Sequence, residues 1–451
     1  MNHSPHLQRR LGLFHASVLN MIDMVGIGPF ITLSIVVSIM NGPWFLYAWI
    51  GGAVLSLVDA MIWSELGAAY PLAGGSYNFL KEAYGKDGAG KMMSFLYVWQ
   101  TMIQAPLVAA SAAIGFSQYF CYLFPLELWQ QKIVSGLVIL FVIFLLYRKI
   151  ESIGKIGVLL WIGVMATMGW IILGGISHGN FLAPVKEMNE GFQVSHLFFV
   201  VLGQASVKTV YSYLGYYNVC HLGGEIIHPE KNIPKSMFIS VICIAVLYLA
   251  INVSVSSVIS WQEIKVLHDS GQKDYVVSTF IERLYGHKAA LVATGLILWV
   301  ALASLFAVML GYSRVPYAAA IDGSFFKIFG KLHPTRNFPY VSLLILGGLA
   351  FLFSQLFRMR HIIDGILAMR IIVQFIAQAV GVVLLRNRRG AKHLPYRMPL
   401  YPLPVIVVII IWLYIFFSTQ WGVILYFLGV FTTGLLIYLI QAKLQKKWPF
   451  N

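Results

Sequence analysis

Apolar positions in this chain fall in long blocks rather than on alternate residues or along one stripe of a helix. About 20 consecutive apolar residues let a helix cross hydrocarbon, where only helices and closed barrels satisfy their own backbone groups. The blocks run from Leu11 to Met40 and from Pro43 to Ala69, then over 91–121, 131–147, 153–176, 196–224, 235–260, 287–321, 339–357, 361–386, 402–420 and 422–441. They predict an all-α polytopic membrane protein with about twelve transmembrane helices.

Two blocks are interrupted. The first contains Val25-Gly26-Ile27-Gly28-Pro29-Phe30. Two glycines and a proline so close together lower helix propensity, and the proline also removes a backbone donor. A break at membrane depth is tolerated only where protein or a water-filled cavity surrounds it, so it marks a candidate binding site; the competing reading is a proline kink. The sixth block is interrupted by Tyr211-Ser212-Tyr213-Leu214-Gly215-Tyr216-Tyr217-Asn218. Glycine-interrupted spans five apart, entered from opposite sides, are what an inverted repeat of five plus five helices produces. The expected division is a tail at 1–10, repeats at 11–178 and 179–386, two extra helices within 387–441 and a tail at 442–451.

Composition agrees with the membrane class. Of 451 residues, 59% are hydrophobic and only 11% charged. The net charge of +15 does not form a basic patch on a soluble fold, so no nucleic-acid partner is expected. The cations instead gather in alternate connections: Arg9, Arg10, Lys81, Lys86, Lys91, Arg148, Lys149, Lys231, Arg386, Arg388 and Lys443 on one side, and far fewer, such as Lys186, Lys265 and Arg283, on the other. The bias of Lys and Arg toward cytoplasmic loops then puts both termini in the cytoplasm. Cys121, Cys220 and Cys243 match neither a metal site nor a disulfide framework. Gly85 to Lys91 imitates a phosphate loop, but Met92 stands in place of the metal-binding hydroxyl and no strand precedes it. No His-Glu-x-x-His or Gly-x-Ser-x-Gly constellation is present, and neither enzyme activity nor a cofactor is expected.

Several motifs together resemble the amino acid-polyamine-organocation superfamily of permeases. They are Gly26-Ile27-Gly28-Pro29-Phe30, Ser64-Glu65-Leu66-Gly67-Ala68-Ala69-Tyr70-Pro71 with Gly74-Gly75-Ser76-Tyr77, and Gly224-Glu225 with His228-Pro229-Glu230-Lys231-Asn232-Ile233-Pro234. Gly311 to Gly323 and Arg397 to Pro404 extend the likeness over nearly the full length. The resemblance implies an alternating-access carrier of amino acids, working by proton symport, exchange or facilitated movement. A bacterial inner membrane is the expected location. It puts the substrate's carboxylate on the amides around Gly26, Ile27 and Gly28. The amino group goes to the carbonyls near Asp23 and Met24 and to those of Tyr211 and Leu214, with Gly215 at the second break. Helix-end physics agrees, because a helix N-terminus favours an anion and terminal carbonyls favour a cation. Tyr213, Tyr216, Tyr217 and Asn218 are the expected side-chain lining.

Pro29 supplies no N–H where many members have a donor, and Leu160 to Val164 carries no lysine where some proton-coupled members have one. Lys208, one turn before Tyr211, is therefore assigned the missing cation or titrating group, with Asp23 as candidate partner; the competing reading is a lysine that snorkels into a vestibule. Asp59 and Glu65 are read as structural ion-pair residues. Gln100, Gln104, Gln374 and Gln378 are read as interhelical hydrogen-bond partners, Arg370 and Asp364 as paired with neighbours, and Arg314 and Asp322 as a gate or loop staple. The rival functions are an amino-acid-sensing receptor, a channel on the same fold, or a polyamine or organocation permease.

Overall fold

The computed structural model describes residues 7–450 apart from Asp87, Gly191, Gln193, 270–274, 358–365, 367–368, 391–393 and 445–447. Asp364 lies outside the described residues. The first block is two helices, α1 (Leu13–Met24) and α2 (Gly28–Met40), bent by 42° at the break. Pro29 sits in the first turn of α2, where its missing N–H costs nothing because helix-initial amides have no intrahelical acceptor. There follow α3 (Leu46–Ala69), α4 (Ser76–Tyr84), α5 (Ala89–Leu123), α6 (Leu128–Leu146), α7 (Ile150–His178) and the short α8 (Ala183–Glu187).

The second half begins with the other interrupted helix, α9 (His196–Tyr213) and α10 (Asn218–His221). Next come α11 (Pro229–Ser256), two short connecting helices α12 (Trp261–Asp269) and α13 (Val276–Tyr285), and α14 (His287–Tyr312) with its continuation α15 (Arg314–Ile321). After α16 (Tyr340–Leu356), a π-helical turn at Ile371–Ile376 runs into α17 (Ala377–Arg389). The chain closes with α18 (Leu403–Phe417) and α19 (Trp421–Leu444).

Among the described residues, eight helices are long and apolar enough to cross a membrane, and the bent α1–α2 pair makes a ninth span. Tyr340–Leu356 and Leu403–Phe417 are shorter apolar helices, and α9 is the remaining member of the expected series. The fold is all-α and polytopic.

Burial sorts these helices into layers. Residues of α5 and α14 are two-thirds buried over their apolar windows, while α6 and α19 are only 22% buried. The outer helices present large apolar side chains such as Leu137, Phe144, Leu425 and Leu436 to the surroundings. In water such an apolar surface would be an association hazard, whereas a lipid bilayer is its natural solvent. The central layer packs α1 against α11, α14 and α7, α2 against α9, and α3 against α9 and α11. Both interrupted helices therefore lie inside the bundle.

Candidate functional site

The two breaks meet in backbone contact. At the second, Leu214 is extended and Gly215 has φ +117°, a conformation that favours glycine. A Cβ on Gly215 would lie 2.8 Å from both the carbonyl carbon of Asp23 and the nitrogen of Met24. No larger residue fits between the broken ends. Gly28 makes a similar close approach to Ser212, which a Cβ would meet at 3.2 Å.

Backbone groups freed by the breaks are satisfied by side chains from neighbouring segments. Asn20, on α1 and fully buried, donates from Nδ2 to the Tyr216 carbonyl at 2.6 Å and accepts from the Val219 amide at 3.1 Å. It thereby replaces two hydrogen bonds that a continuous helix would have made. Tyr248 of α11 places its hydroxyl 2.6 Å from the Met24 carbonyl and 3.1 Å from the Ser212 carbonyl, one from each break. The Thr32 and Ser212 hydroxyls are 2.9 Å apart. Ser304 of α14 donates to the Asp23 carbonyl at 3.4 Å.

A cavity of about 50 Å³ lies against this junction. Its first wall is Asp23, Met24, Gly26, Ile27 and Gly28, and its second is Tyr211, Leu214, Gly215 and Tyr217. Nine of the twelve residues expected at the binding site thus line it. Sequence reasoning left out the wall from α5 (Val108, Ser111, Ala112) and that from α14 (Ser304, Val308, Tyr312). The Ser111 and Tyr211 hydroxyls, 2.9 Å apart, join the α5 wall to α9.

Three expected lining residues sit behind the wall. Tyr213 is buried against Trp49 and Tyr248, Tyr216 donates its hydroxyl to Asp59, and Asn218 donates to the Ala307 carbonyl at 2.9 Å. The reason is rotation. The residue after a lining position on a helix turns about 100° away, and the extended Leu214 with Gly215 resets the phase, so Tyr217 faces the cavity but Tyr216 does not. The Met24 carbonyl is also less available to an ammonium than expected, because Tyr248 donates to it.

Lys208 does not line the cavity; it is half-buried on α9 and its carbonyl accepts the Ser212 hydroxyl at 3.3 Å. The cation that does line it, together with Asp23, is Arg370, at the start of the π-helical turn and 1% exposed. Its guanidinium donates to the Tyr312 hydroxyl and stands 5.4 Å and 5.3 Å from the ring centres of Tyr217 and Tyr312. Tyr217 in turn stacks on Trp63 at 4.7 Å.

Below the cavity, on the face that holds the beginning of the chain, buried ion pairs close the bundle. Arg314 makes a two-pronged pair with Glu225, both contacts 2.9 Å, with side chains 2% and 1% exposed. The Glu225 carbonyl also accepts the amides of Arg10 and Leu11 at 2.9 Å. Asp322, expected as a companion of Arg314, instead receives Lys81 and Tyr77 from α4. Glu65 holds Arg386 and the Met398 amide, the latter at 2.7 Å, as a structural ion pair should. Asp59 departs from that reading, for its donors are Tyr216 and Trp63 rather than a cation. None of the four glutamines lines the cavity, and Gln374 donates across to Ser76 at 3.4 Å.

An amino acid permease family model matches residues 11–440. The chain belongs to that family. It is 26% identical over 410 residues to the serine/threonine exchanger SteT of Bacillus subtilis (strain 168), covering 89% of each chain. It is 22% identical to the branched-chain amino acid permease BcaP of the same organism, covering 98% of this chain and 94% of that one. A methylthioribose transporter from that organism is also 22% identical, covering 98% and 95%. With such relatives and such helices, the permease is an integral membrane protein of the amino acid transport class, within the wider superfamily that the motifs resemble.

Proposed function

We propose that this permease carries a zwitterionic amino acid by alternating access, binding it between the two breaks and working by proton-coupled symport or exchange. The observation that carries this reading is the cavity at the junction of the two interrupted helices, both of which line it. The helix-initial amides of Ile27 and Gly28 suit a carboxylate, and Asp23 with the Leu214 carbonyl suits an ammonium. Main-chain recognition reads what all amino acids share, so selectivity falls to the side chains of the α5, α14 and tenth-span walls.

Each of the repeats, 11–178 and 179–386, contributes one interrupted helix to the site in this reading. With both termini in the cytoplasm of a bacterial cell, the Glu225–Arg314 and Glu65–Arg386 pairs close the cytoplasmic side. Substrate enters from outside when they hold and leaves inward when they part.

The test is counterflow of labelled amino acid in proteoliposomes, which a carrier shows and a channel or receptor does not. Gly28→Leu, pressed against Ser212, is expected to abolish substrate binding by the purified protein while it remains monodisperse. Unchanged affinity removes the first break from the site, and competition by polyamines alone overturns the amino-acid assignment.

A further inference from the structure

Arg370 poses a question that the zwitterion leaves unanswered. It is 1% exposed and lines the cavity. Among the described residues no carboxylate pairs with its guanidinium, whose polar partner is the neutral Tyr312 hydroxyl, and its Nε has no acceptor. An arginine keeps its charge in proteins. The opposite charge that acts on it is Asp23 on the same cavity, with no direct ion pair between them; a buried charge so incompletely hydrogen-bonded is unfavourable and is satisfied by what binds next to it. The π-helical turn at Ile371–Ile376 begins directly after Arg370. Turns of this kind inside α-helices are frequent at functional sites.

We propose that the substrate is a small amino acid with a short anionic side chain, whose terminal carboxylate binds Arg370. This rests on the transport reading above and narrows it. The charges then alternate along the ligand. The α-carboxylate meets the α2 amides, the ammonium meets Asp23, and the side-chain carboxylate meets Arg370, so each substrate charge faces its opposite. A neutral amino acid whose ammonium takes up Asp23 leaves the guanidinium with no carboxylate of its own. Size points the same way: the free volume at the junction is small, about 50 Å³, which disfavours a bulky side chain. A side chain of one or two carbons ending in a carboxylate asks for less added room than an aromatic ring. Of the tyrosines expected as lining, Tyr213 and Tyr216 are turned out of the cavity, and Tyr217 with Tyr312 cradles the guanidinium. A planar fork next to two ring faces favours two-pronged carboxylate recognition over a point contact.

The experiment uses the full chain in proteoliposomes preloaded with L-alanine. Counterflow of labelled L-alanine is measured against L-aspartate, L-serine and L-phenylalanine as competitors, in the wild type and in Arg370→Lys, Arg370→Gln and Arg370→Met. L-aspartate is expected to compete at least about tenfold better than L-alanine itself, and L-phenylalanine not at all. Arg370→Gln and Arg370→Met are expected to lose the aspartate advantage, read as the ratio of L-aspartate to L-alanine competition within each variant, and Arg370→Lys to keep part of it. Ligand-induced thermal stabilisation of the wild type in detergent supplies a readout that needs no variant, with L-aspartate stabilising more than L-alanine. Equal competition by the two in the wild type overturns the proposal but leaves amino acid transport intact. Equal loss of both in a monodisperse Arg370→Gln also overturns it, by making Arg370 a ligand of the shared α-carboxylate. If the wild type moves no amino acid, the transport reading itself fails.

Discussion

Asn20 offers the sharpest test of how this permease keeps a helix broken inside a membrane. Its side chain both donates to the Tyr216 carbonyl and accepts from the Val219 amide, with no exposed surface. Asn20→Ala removes both partners at once and leaves a buried acceptor and a buried donor unpaired. Each such group costs about 1–3 kcal/mol, so the variant should lose about 2–6 kcal/mol of native stability, plus a small term for lost volume. Asn20→Leu separates the two effects, because it fills the space but restores neither hydrogen bond. If the bonds carry the effect, both variants fall by similar amounts; if packing carries it, only the alanine falls. The assay is chemical unfolding of the purified protein in detergent, followed by tryptophan fluorescence, with substrate counterflow beside it. Because Tyr217 lines the cavity within the same turn, counterflow should weaken in both variants. Unfolding midpoints equal to wild type in both would refute the claim that Asn20 holds the second break.

Two further outcomes follow from the same geometry. Gly215→Ala forces a positive φ on alanine and drives a Cβ to 2.8 Å from the backbone of Asp23 and Met24, so about 2–6 kcal/mol should be lost from strain and overpacking together. Gly295→Ala, on α14 with nothing within 4 Å, is the control and should be neutral to stabilising by up to about 1 kcal/mol in the same unfolding assay. Glu225→Gln leaves the buried Arg314 charge without its partner, a loss of about 3–5 kcal/mol, or roughly two to four decades in an equilibrium constant. It should appear as faster labelling of a cysteine introduced at Ala73, beside Leu222 on the closed face. Unchanged labelling would show that this pair does not hold that face shut.

The sequence carried the membrane class, the positions of the spans and both breaks, because each is a one-dimensional property. Block length measures hydrocarbon thickness, and glycine and proline act on their own backbone. Pro43–Ala69, His287–Ile321 and Leu403–Phe417 fall close to the blocks read from hydropathy alone. The nine cavity-lining residues at the breaks were legible for the same reason, since they lie where the chain must unwind.

Which side chains face the cavity was not legible, because that depends on helical phase after a break and on which distant helix supplies the opposite wall. Leu214 and Gly215 reset the phase, so Tyr216 turns to Asp59 while Tyr217 turns to the cavity. Asn20 carried one faint signal, a lone amide in an apolar run shortly before the break; Tyr248, in a span that is otherwise unremarkable, carried none. Lys208 and Arg370 show the difference most clearly. Both are cations inside apolar blocks, and sequence position favoured Lys208 because it lies one turn from a break. Only the packing of α9 against its neighbours takes Lys208 off the cavity and lets the tenth span bring in Arg370. Hydropathy fixes which segments enter the membrane, whereas which buried charge reaches the cavity is decided by contacts between segments far apart in the sequence.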